Sequence, residues 1–348
     1  MKKLISIALI ACLLFGCAFC CAGAEGEFLR DGFTYRILKD GSAEITGCEG
    51  LSGDIVVSQK INGRRVTSIA EGAFYGCGDL TGVVVDEGIQ SIGDRAFYGC
   101  ASLTGVELPG TLERMGADVF GECRALLSVR VKAENAVFES VDGVLYNVQE
   151  NALVCYPAAK AETELIVQEG TVSIADKAFF GNVHIESVTF PESMQSIGYR
   201  TFYGCTGLKV LDMKGCVSIA DYAFCGCRNL SEIHLPEGLE TIGYGAFSGC
   251  SAILKLEFKP GLKFIGDSAF CECEALETVV FPEGCETIDP YAFYYCPNLT
   301  DVYLPESIES IGEGAFFDCA NVTLHAKEGS YAWNYAQENG HNVRWTGK

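Results

Sequence analysis

Apolar residues recur along this chain at fixed positions of a unit of about 23 residues. An Ala-Phe pair marks the unit most clearly, and its phenylalanines are separated by 23, 23, 59, 23, 22, 23, 23, 23 and 23 residues. A fixed period in this range indicates stacked repeats, in which each unit buries its apolar face against the next. The pairs are Ala73-Phe74, Ala96-Phe97, Ala178-Phe179, Ala223-Phe224, Ala246-Phe247, Ala269-Phe270, Ala292-Phe293 and Ala315-Phe316, with variants at Val119-Phe120 and Thr201-Phe202.

Residues 103–123 show how the first part of one unit is built. Leu103, Val106 and Leu108 alternate with polar or small residues, and this period of two predicts a short strand that points Glu107 outward. The strand should end at Pro109, which has no N–H to donate. We therefore expect each coil to contribute one strand to a parallel sheet.

The second part of the unit returns to the core. Leu112 and Met115 turn the chain inward, and Gly116 is expected to provide backbone geometry that other residues resist. The Val119-Phe120 pair and Cys123 then fill the opposite side of the coil.

Two steps depart from the period. The 59-residue step predicts a longer, altered coil at about residues 124–170. The 22-residue step loses one residue near Lys214-Gly215. Both are interpreted as local bulges, and the longer coil is also a candidate binding feature.

The cysteines follow the same period. Nine of them lie three residues after the repeat phenylalanine, so they are predicted to be small buried side chains. Stacked coils would bring them within disulfide distance, but parallel Cβ vectors give poor bridge geometry, which favours packed thiols over disulfides. The nine are Cys77, Cys100, Cys123, Cys205, Cys227, Cys250, Cys273, Cys296 and Cys319.

Residues 1–24 are predicted to be a secretory signal peptide. Lys2 and Lys3 precede an apolar stretch, and small residues at 22–24 suit cleavage before Glu25. The alternative is a lipid anchor at Cys17, because residues 14–17 resemble a lipobox. No later apolar stretch is long enough to predict a transmembrane helix.

The net charge disfavours nucleic acid as a partner. The whole chain carries −21, and without Lys2 and Lys3 it carries −23. Such a charge repels phosphate backbones and anionic membranes.

No catalytic or metal-binding motif stands out. The four histidines lack zinc spacing, although stacking would align Asp212, His234 and Glu257 at one outward position of three successive coils. We interpret this trio as an exposed charge-balanced face. Cys225 and Cys271 lie outside the cysteine row, and we expect them to be structural. We predict no catalytic residue, metal or cofactor.

Acidic residues also recur after the Ile-Gly or Ile-Ala step of the unit. Ladders of like charge could recruit calcium, but no dense Asp-x-Asp-x-Asp loop is present, so we interpret them as charge for solubility. They are Asp94, Asp176, Asp221, Asp267 and Glu313.

The repeat L-x-x-V-x-L-P-x-x-[LI]-x-x-I-G-x-x-A-F-x-x-C resembles the BspA-like class of leucine-rich repeat. The resemblance implies a mainly β repeat solenoid with a parallel sheet, an N-terminal β cap and a C-terminal helix-strand cap. The implied parts are a leader at 1–24, a cap and first coil at 25–66, the solenoid at 67–325 and the terminal cap at 326–348. Asp40-Gly41 would turn a hairpin in the first cap, residues 329–339 would form the helix, and Val343-Arg344-Trp345 the last strand. The altered coil resembles the family's variant unit, in which Asp142-Gly143 makes a turn.

The outward face of the strand sheet is the candidate binding surface, because its residues vary while the inward positions are nearly constant. The resemblance implies a secreted or surface-attached, non-enzymatic and adhesin-like protein that recognises a protein or glycan. A passive structural or spacer module is the alternative, and a hydrolase of surface polymers is a minor one. The candidate binding residues are Glu107, Arg130, Asp212, His234, Glu257 and Tyr303.

Overall fold

The computed structural model describes residues 26–345. The predicted leader and the candidate lipid anchor at Cys17 lie outside the described residues. The chain divides into two compact units, Met1–Ser140 and Val141–Lys348.

The first unit begins with an antiparallel cap and continues as parallel coils. In the cap, β1, β2 and β3 pair in order, and Gly41 (φ 83°) turns the second hairpin as predicted. The strands are β1 (Glu27–Arg30), β2 (Phe33–Ile37), β3 (Ala43–Cys48), β4 (Gly53–Val57), β5 (Lys60–Ile61), β6 (Arg64–Ile69), β7 (Leu80–Val85), β8 (Ser91–Ile92), β9 (Gly105–Leu108), β10 (Arg114–Met115) and β11 (Ser128–Val131); β12 (Phe138–Val141) spans the unit boundary.

The second unit holds most of the regular repeats. It ends in the predicted helix α1 (Tyr331–Glu338), which Ser330 caps by accepting a hydrogen bond from Trp333 N, and in a last strand. The strands are β13 (Val144–Asn147), β14 (Ala152–Cys155), β15 (Glu164–Ile166), β16 (Ser173–Ile174), β17 (Ser187–Thr189), β18 (Ser196–Ile197), β19 (Val210–Asp212), β20 (Ser218–Ile219), β21 (Glu232–His234), β22 (Thr241–Ile242), β23 (Lys255–Glu257), β24 (Phe264–Ile265), β25 (Thr278–Val280), β26 (Thr287–Ile288), β27 (Asp301–Tyr303), β28 (Ser310–Ile311), β29 (Thr323–Ala326) and β30 (Asn342–Trp345).

Each regular coil contributes two strands, so the expectation of one strand per coil was wrong. The predicted strands form what we call the long-strand ladder: β4, β7, β9 and β11 in the first unit, and β15–β17–β19–β21 and β23–β25–β27–β29–β30 in the second. A second parallel ladder, the short-strand ladder, joins two-residue strands such as β18, β20 and β22. In these strands an isoleucine points inward and a Ser or Thr outward, and the stacking of coils pairs backbone groups that would otherwise be buried without partners.

A column of aromatic rings fills the core of each unit. Phe74, Phe97 and Phe120 stack in the first unit, with ring centroids 4.9 and 5.9 Å apart. In the second unit the column runs from Phe179 to Phe316 with separations of 4.3 to 5.6 Å. Offset stacking of this kind is favourable beyond the burial of apolar area.

The cysteine row packs beside this column. Each of eight ladder thiols donates a hydrogen bond to the carbonyl of the phenylalanine in the preceding coil, at Sγ···O distances of 3.0 to 3.4 Å. Those eight are buried as predicted, whereas Cys77 is half-buried. No disulfide joins any two of the fifteen cysteines in residues 26–345.

Gly116 is needed for a reason other than the predicted one. Its φ is not positive; the left-handed residues of this coil are Asp118, two positions before the repeat phenylalanine, and Glu122, two positions after it. A Cβ at Gly116 would lie 2.7 Å from the Cα of Asp94 in the preceding coil. The glycine therefore permits close approach of two backbones rather than an unusual dihedral angle.

The predicted turn of the altered coil is present at Asp142 (φ 51°) and Gly143 (φ 81°). Within the second unit, β13 pairs antiparallel with β14. Tyr156 then takes the place of a repeat phenylalanine and stacks on Phe179 at 4.7 Å, a role that the sequence analysis missed.

Candidate binding surfaces

The candidate residues of the first unit lie side by side on the long-strand ladder. Val84, Glu107 and Arg130 are in register on β7, β9 and β11, which places neighbouring Cα atoms about 4.8 Å apart. Arg130 is exposed and Glu107 is half-buried. Neither forms an ion pair with another residue of the described chain.

A shallow groove of about 560 Å³ follows this face. Gly82 and Gly105 line it, and the Asp54 carboxylate lies over Gly82, where an added Cβ would be 2.7 Å from Oδ1. Val56 (49% exposed) and Leu127 (51% exposed) add apolar surface at its edges. The groove thus combines an apolar lining with the adjacent opposite charges of Glu107 and Arg130 and with the carboxylate of Asp54.

The second unit brings the other candidates together only in part. Asp212 and His234 are in register on β19 and β21, and Glu257 pairs with Val280, which pairs with Tyr303. Between residues 26 and 345, no strand pairing joins β21 to β23. The break coincides with a shifted proline, because Pro236 directly follows Leu235 whereas Pro260 follows Phe258 only after Lys259.

The strand pairing therefore supports the expected alignment of Asp212, His234 and Glu257 only for its first pair. His234 Nε2 lies 3.0 Å from Glu232 Oε1 on its own strand, and Glu257 pairs with Lys255 at 3.2 Å and Lys259 at 3.3 Å. The three side chains engage local partners and do not form an acid–base triad. Within residues 26–345, no three His, Cys, Asp or Glu side chains converge as a metal site would require.

Tyr303 is the aromatic member of the candidate set and is 39% exposed. Its ring stacks on the imidazole of His325 in the next coil, with centroids 4.3 Å apart. His325 Nε2 lies 2.7 Å from Asp301 Oδ1, and this hydrogen bond lowers the pKa of Asp301. Tyr303, His325 and Asp301 thus form a cluster on the ladder face. Of these three residues, the sequence pointed only to Tyr303.

Cys225 and Cys271 are half-buried and two coils apart, as the sequence indicates. Ser248 occupies the same repeat position in the intervening coil. Burial raises the pKa of Cys271 to about 11. At about 4.8 Å per coil the two Cα atoms are too far apart for a disulfide.

The recurring acidic residues have a structural role that the solubility interpretation missed. An Oδ1 atom of Asp94, Asp176 and Asp221 accepts a hydrogen bond from the backbone N–H one coil further on, at 2.7 to 2.9 Å. Asp267 has Pro290 at the matching position, which offers no N–H, and it accepts from Ser268 Oγ instead. The carboxylates of Asp94, Asp176 and Asp221 therefore connect successive coils.

A second groove, of about 530 Å³, lies over the short-strand ladder of the second unit. It was not predicted. The signal present in the sequence is a Ser or Thr directly before the repeat isoleucine, as at Ser196, Ser218 and Thr241.

The family described as the BspA type leucine rich repeat region matches residues 58–146, 155–218 and 212–323, in six copies. The chain belongs to this family. The resemblance read from the repeat is thereby confirmed, as is the fold class of a mainly β leucine-rich repeat solenoid.

Solved structures share the fold of this BspA-type chain. A leucine-rich repeat protein from Eubacterium ventriosum is 22% identical, with a TM-score of 0.61 over 85% of this chain and 95% of its own. The pneumococcal vaccine antigen PcpA is 16% identical, with a TM-score of 0.52 over 94% of this chain and 100% of its own. No curated protein matches the chain significantly. Among the described residues, no helix has the length and apolar character needed to cross a membrane.

Proposed function

We propose that this chain is an exported, non-enzymatic binding protein that recognises a macromolecule, protein or glycan, through the outward face of its long-strand ladder. It would act in an adhesin-like manner at the cell surface or after secretion, with Cys17 as the alternative point of attachment. The observation that carries the proposal is the groove beside Glu107 and Arg130.

The chemistry of that groove supports recognition of a partner. Arg130 and Glu107 have no ion-pair partner among the described residues, so their charges remain for a ligand. Val56 and Leu127 provide exposed apolar area beside them. Interfaces combine apolar contact with a few oriented charges, and arginine and tyrosine are frequent energetic anchors.

The core supports a scaffold role for the rest of the chain. The stacked phenylalanines and buried thiols are nearly the same in every coil, whereas the outward positions vary in charge and size. Such a division leaves the ladder face able to change without loss of the fold.

The experiment is a binding screen of residues 25–348 against immobilised matrix proteins, mucins, neutral glycans and whole cells. We expect a saturable partner whose affinity falls about tenfold or more on Arg130→Ala or on Tyr303→Ala. Arg124→Ala is the matched control in the first unit, since Arg124 is exposed but pairs with Glu122. Tyr295→Ala, exposed but off the ladder, is the control in the second.

A folded protein that binds none of these targets would contradict the proposal and favour the passive structural role. If the ladder variants and their controls lost affinity equally, the binding surface would lie elsewhere.

A further inference from the structure

The groove over the short-strand ladder contains a row of hydroxyl side chains. Ser196, Ser218 and Thr241 are in register at its centre, one per coil, and Phe264 continues the row on β24. Within the described residues, the three hydroxyl groups make no hydrogen bond to protein. The groove therefore presents a repeating line of half-exposed hydroxyls at about 4.8 Å per coil.

Carboxylates and an aromatic ring complete the lining. Asp176 and Asp221 each use one oxygen to accept a backbone N–H, from Tyr199 and Tyr244 respectively. Their other oxygens accept no hydrogen bond from the residues described here. Gly198 lies between them along the groove and contributes no side chain to it.

The ring of Tyr199, which lines this groove, contacts the side chain of Arg200. The Arg200 guanidinium lies 5.1 Å from the ring centroid of Tyr199, 5.1 Å from that of Tyr203 and 5.2 Å from that of Tyr222. Arg200 makes no ion pair within residues 26–345, and its Nε has no hydrogen-bond partner there. Cation–π attraction thus orients the Tyr199 ring.

The aromatic surface extends beyond Tyr199. Tyr222 packs edge-on against Tyr199 at 6.1 Å and against Tyr244 at 4.9 Å. A hydrogen bond with Tyr244 raises the pKa of Tyr222 to about 12. Tyr244 itself is 41% exposed, so the cluster offers ring surface to solvent while its members hold each other in place.

We propose that this groove binds a stretch of neutral polysaccharide. Sugar rings stack their C–H faces on aromatic side chains, and their hydroxyls pair with short hydroxyl and carboxylate side chains; Tyr199, the Ser-Ser-Thr row and Asp176 with Asp221 supply these groups. The regular coil spacing repeats the polar contacts along the groove, which suits a polymer of similar repeat length.

Other ligand classes fit less well. A peptide cannot add a strand here, since β18, β20 and β22 are paired on both sides. A folded protein partner usually inserts an anchoring side chain into a pocket. Here the groove is lined by small residues such as Gly198, Ala220 and Gly243, which form no deep pocket for such a side chain. Asp176 and Asp221 would repel anionic chains.

The test is affinity electrophoresis of residues 25–348 in gels that contain a soluble β-glucan, mannan, xylan or galactan, with hyaluronan as the anionic comparison. We expect retardation by at least one neutral polysaccharide. Ser218→Tyr fills the groove and should weaken binding about tenfold or more. Ser310→Tyr, at the same position of β28 outside the groove, should change binding by less than about twofold.

Tyr199→Ala removes the stacking surface without filling the groove, so it tests the site even if Ser218→Tyr fails to fold. It should weaken binding of the same polysaccharide about tenfold. Binding that survives both substitutions, no retardation by any of the four neutral polymers, or stronger retardation by hyaluronan would each overturn the proposal. Arg130→Ala and Tyr303→Ala should leave this binding unchanged, so this site and the ladder face can fail separately.

Discussion

The imidazole of His325 lies almost parallel to the ring of Tyr303, with an interplanar angle of 12° and centroids 4.3 Å apart. The same imidazole hydrogen-bonds to Asp301 on the strand that carries Tyr303. His325 therefore contacts both the exposed ring of Tyr303 and the carboxylate of Asp301. The stability of this end of the ladder should depend on the ionisation of Asp301.

The first prediction concerns acid stability. Hydrogen bonding to His325 lowers the pKa of Asp301 from its ordinary 3.8, so the carboxylate stabilises the fold above that pH and this contribution is lost as pH falls through the lower, folded-state pKa. Asp301→Asn should remove part of the fall in unfolding free energy below about pH 4. Urea unfolding of both proteins across the acid range measures this.

Asp289→Asn is the opposite control for that experiment. Burial raises the pKa of Asp289, so protonation of this carboxylate favours the folded state as pH falls. Without the carboxylate, the free energy of unfolding should fall more steeply with decreasing pH. If the free energy of unfolding fell equally steeply with pH in the wild type and in Asp301→Asn, the first prediction would be contradicted.

The second prediction concerns thiol reactivity. Ten of the fifteen cysteines in residues 26–345 are buried, and burial raises the pKa of Cys216 and of Cys285 to about 12. Because the thiolate is the reactive form, iodoacetamide should modify at most the five half-buried cysteines in the native state and all fifteen after unfolding. Mass spectrometry counts the adducts.

Two variants check the assignment of those adducts. Cys77→Ser should lower the native count, because Cys77 is half-buried and its hydrogen bond with Cys48 lowers its pKa. Cys250→Ser should lower only the unfolded count. Fewer than fifteen adducts after unfolding without reductant would indicate disulfides and contradict the packed-thiol interpretation.

The third prediction concerns the close approach of coils. A Cβ at Gly243 would lie 2.8 Å from the backbone N of Asp221, so Gly243→Ala should destabilise the protein by about 2 kcal/mol. Ala220 occupies the matching position one coil earlier, and Ala220→Gly should cost no more than about 1 kcal/mol. Denaturant unfolding compares the two, and similar costs would refute the steric explanation.

The fourth prediction concerns the left-handed position two residues before each repeat phenylalanine. Ten coils adopt φ of 52° to 63° there, although only three use glycine. Arg95→Gly should be more stable than Arg95→Ala by about 1 kcal/mol, because both lose the same side chain and only glycine loses the Cβ strain. Equal stability of the two variants would show that the backbone relaxes at this position.

Much of the fold could be predicted because its determinants are periodic. The aromatic column, the buried cysteines, the Asp40-Gly41 and Asp142-Gly143 turns and the terminal helix each follow from residue type at a fixed position. The substitution of Tyr156 for a repeat phenylalanine escaped notice because its coil lacks the Ala-Phe pair, although it lies 23 residues before Phe179.

The candidate surfaces could be predicted less well, because they depend on pairing between coils. The sequence suggested a continuous row through His234 and Glu257, but the ladder breaks there, where the proline comes one residue later. The role of Asp176 also depends on a neighbour 23 residues away, since its carboxylate accepts the N–H of Tyr199.

The sequence by itself determined the repeat length, the inward residues and the family, because burial requires apolar side chains at the same place in every coil. Only the tertiary structure decided that each coil pairs twice, where the long-strand ladder breaks and which outward residues line grooves. Those features depend on contacts between residues about 23 positions apart, and the long-strand ladder breaks beside the shifted Pro260 while the apolar period continues unchanged.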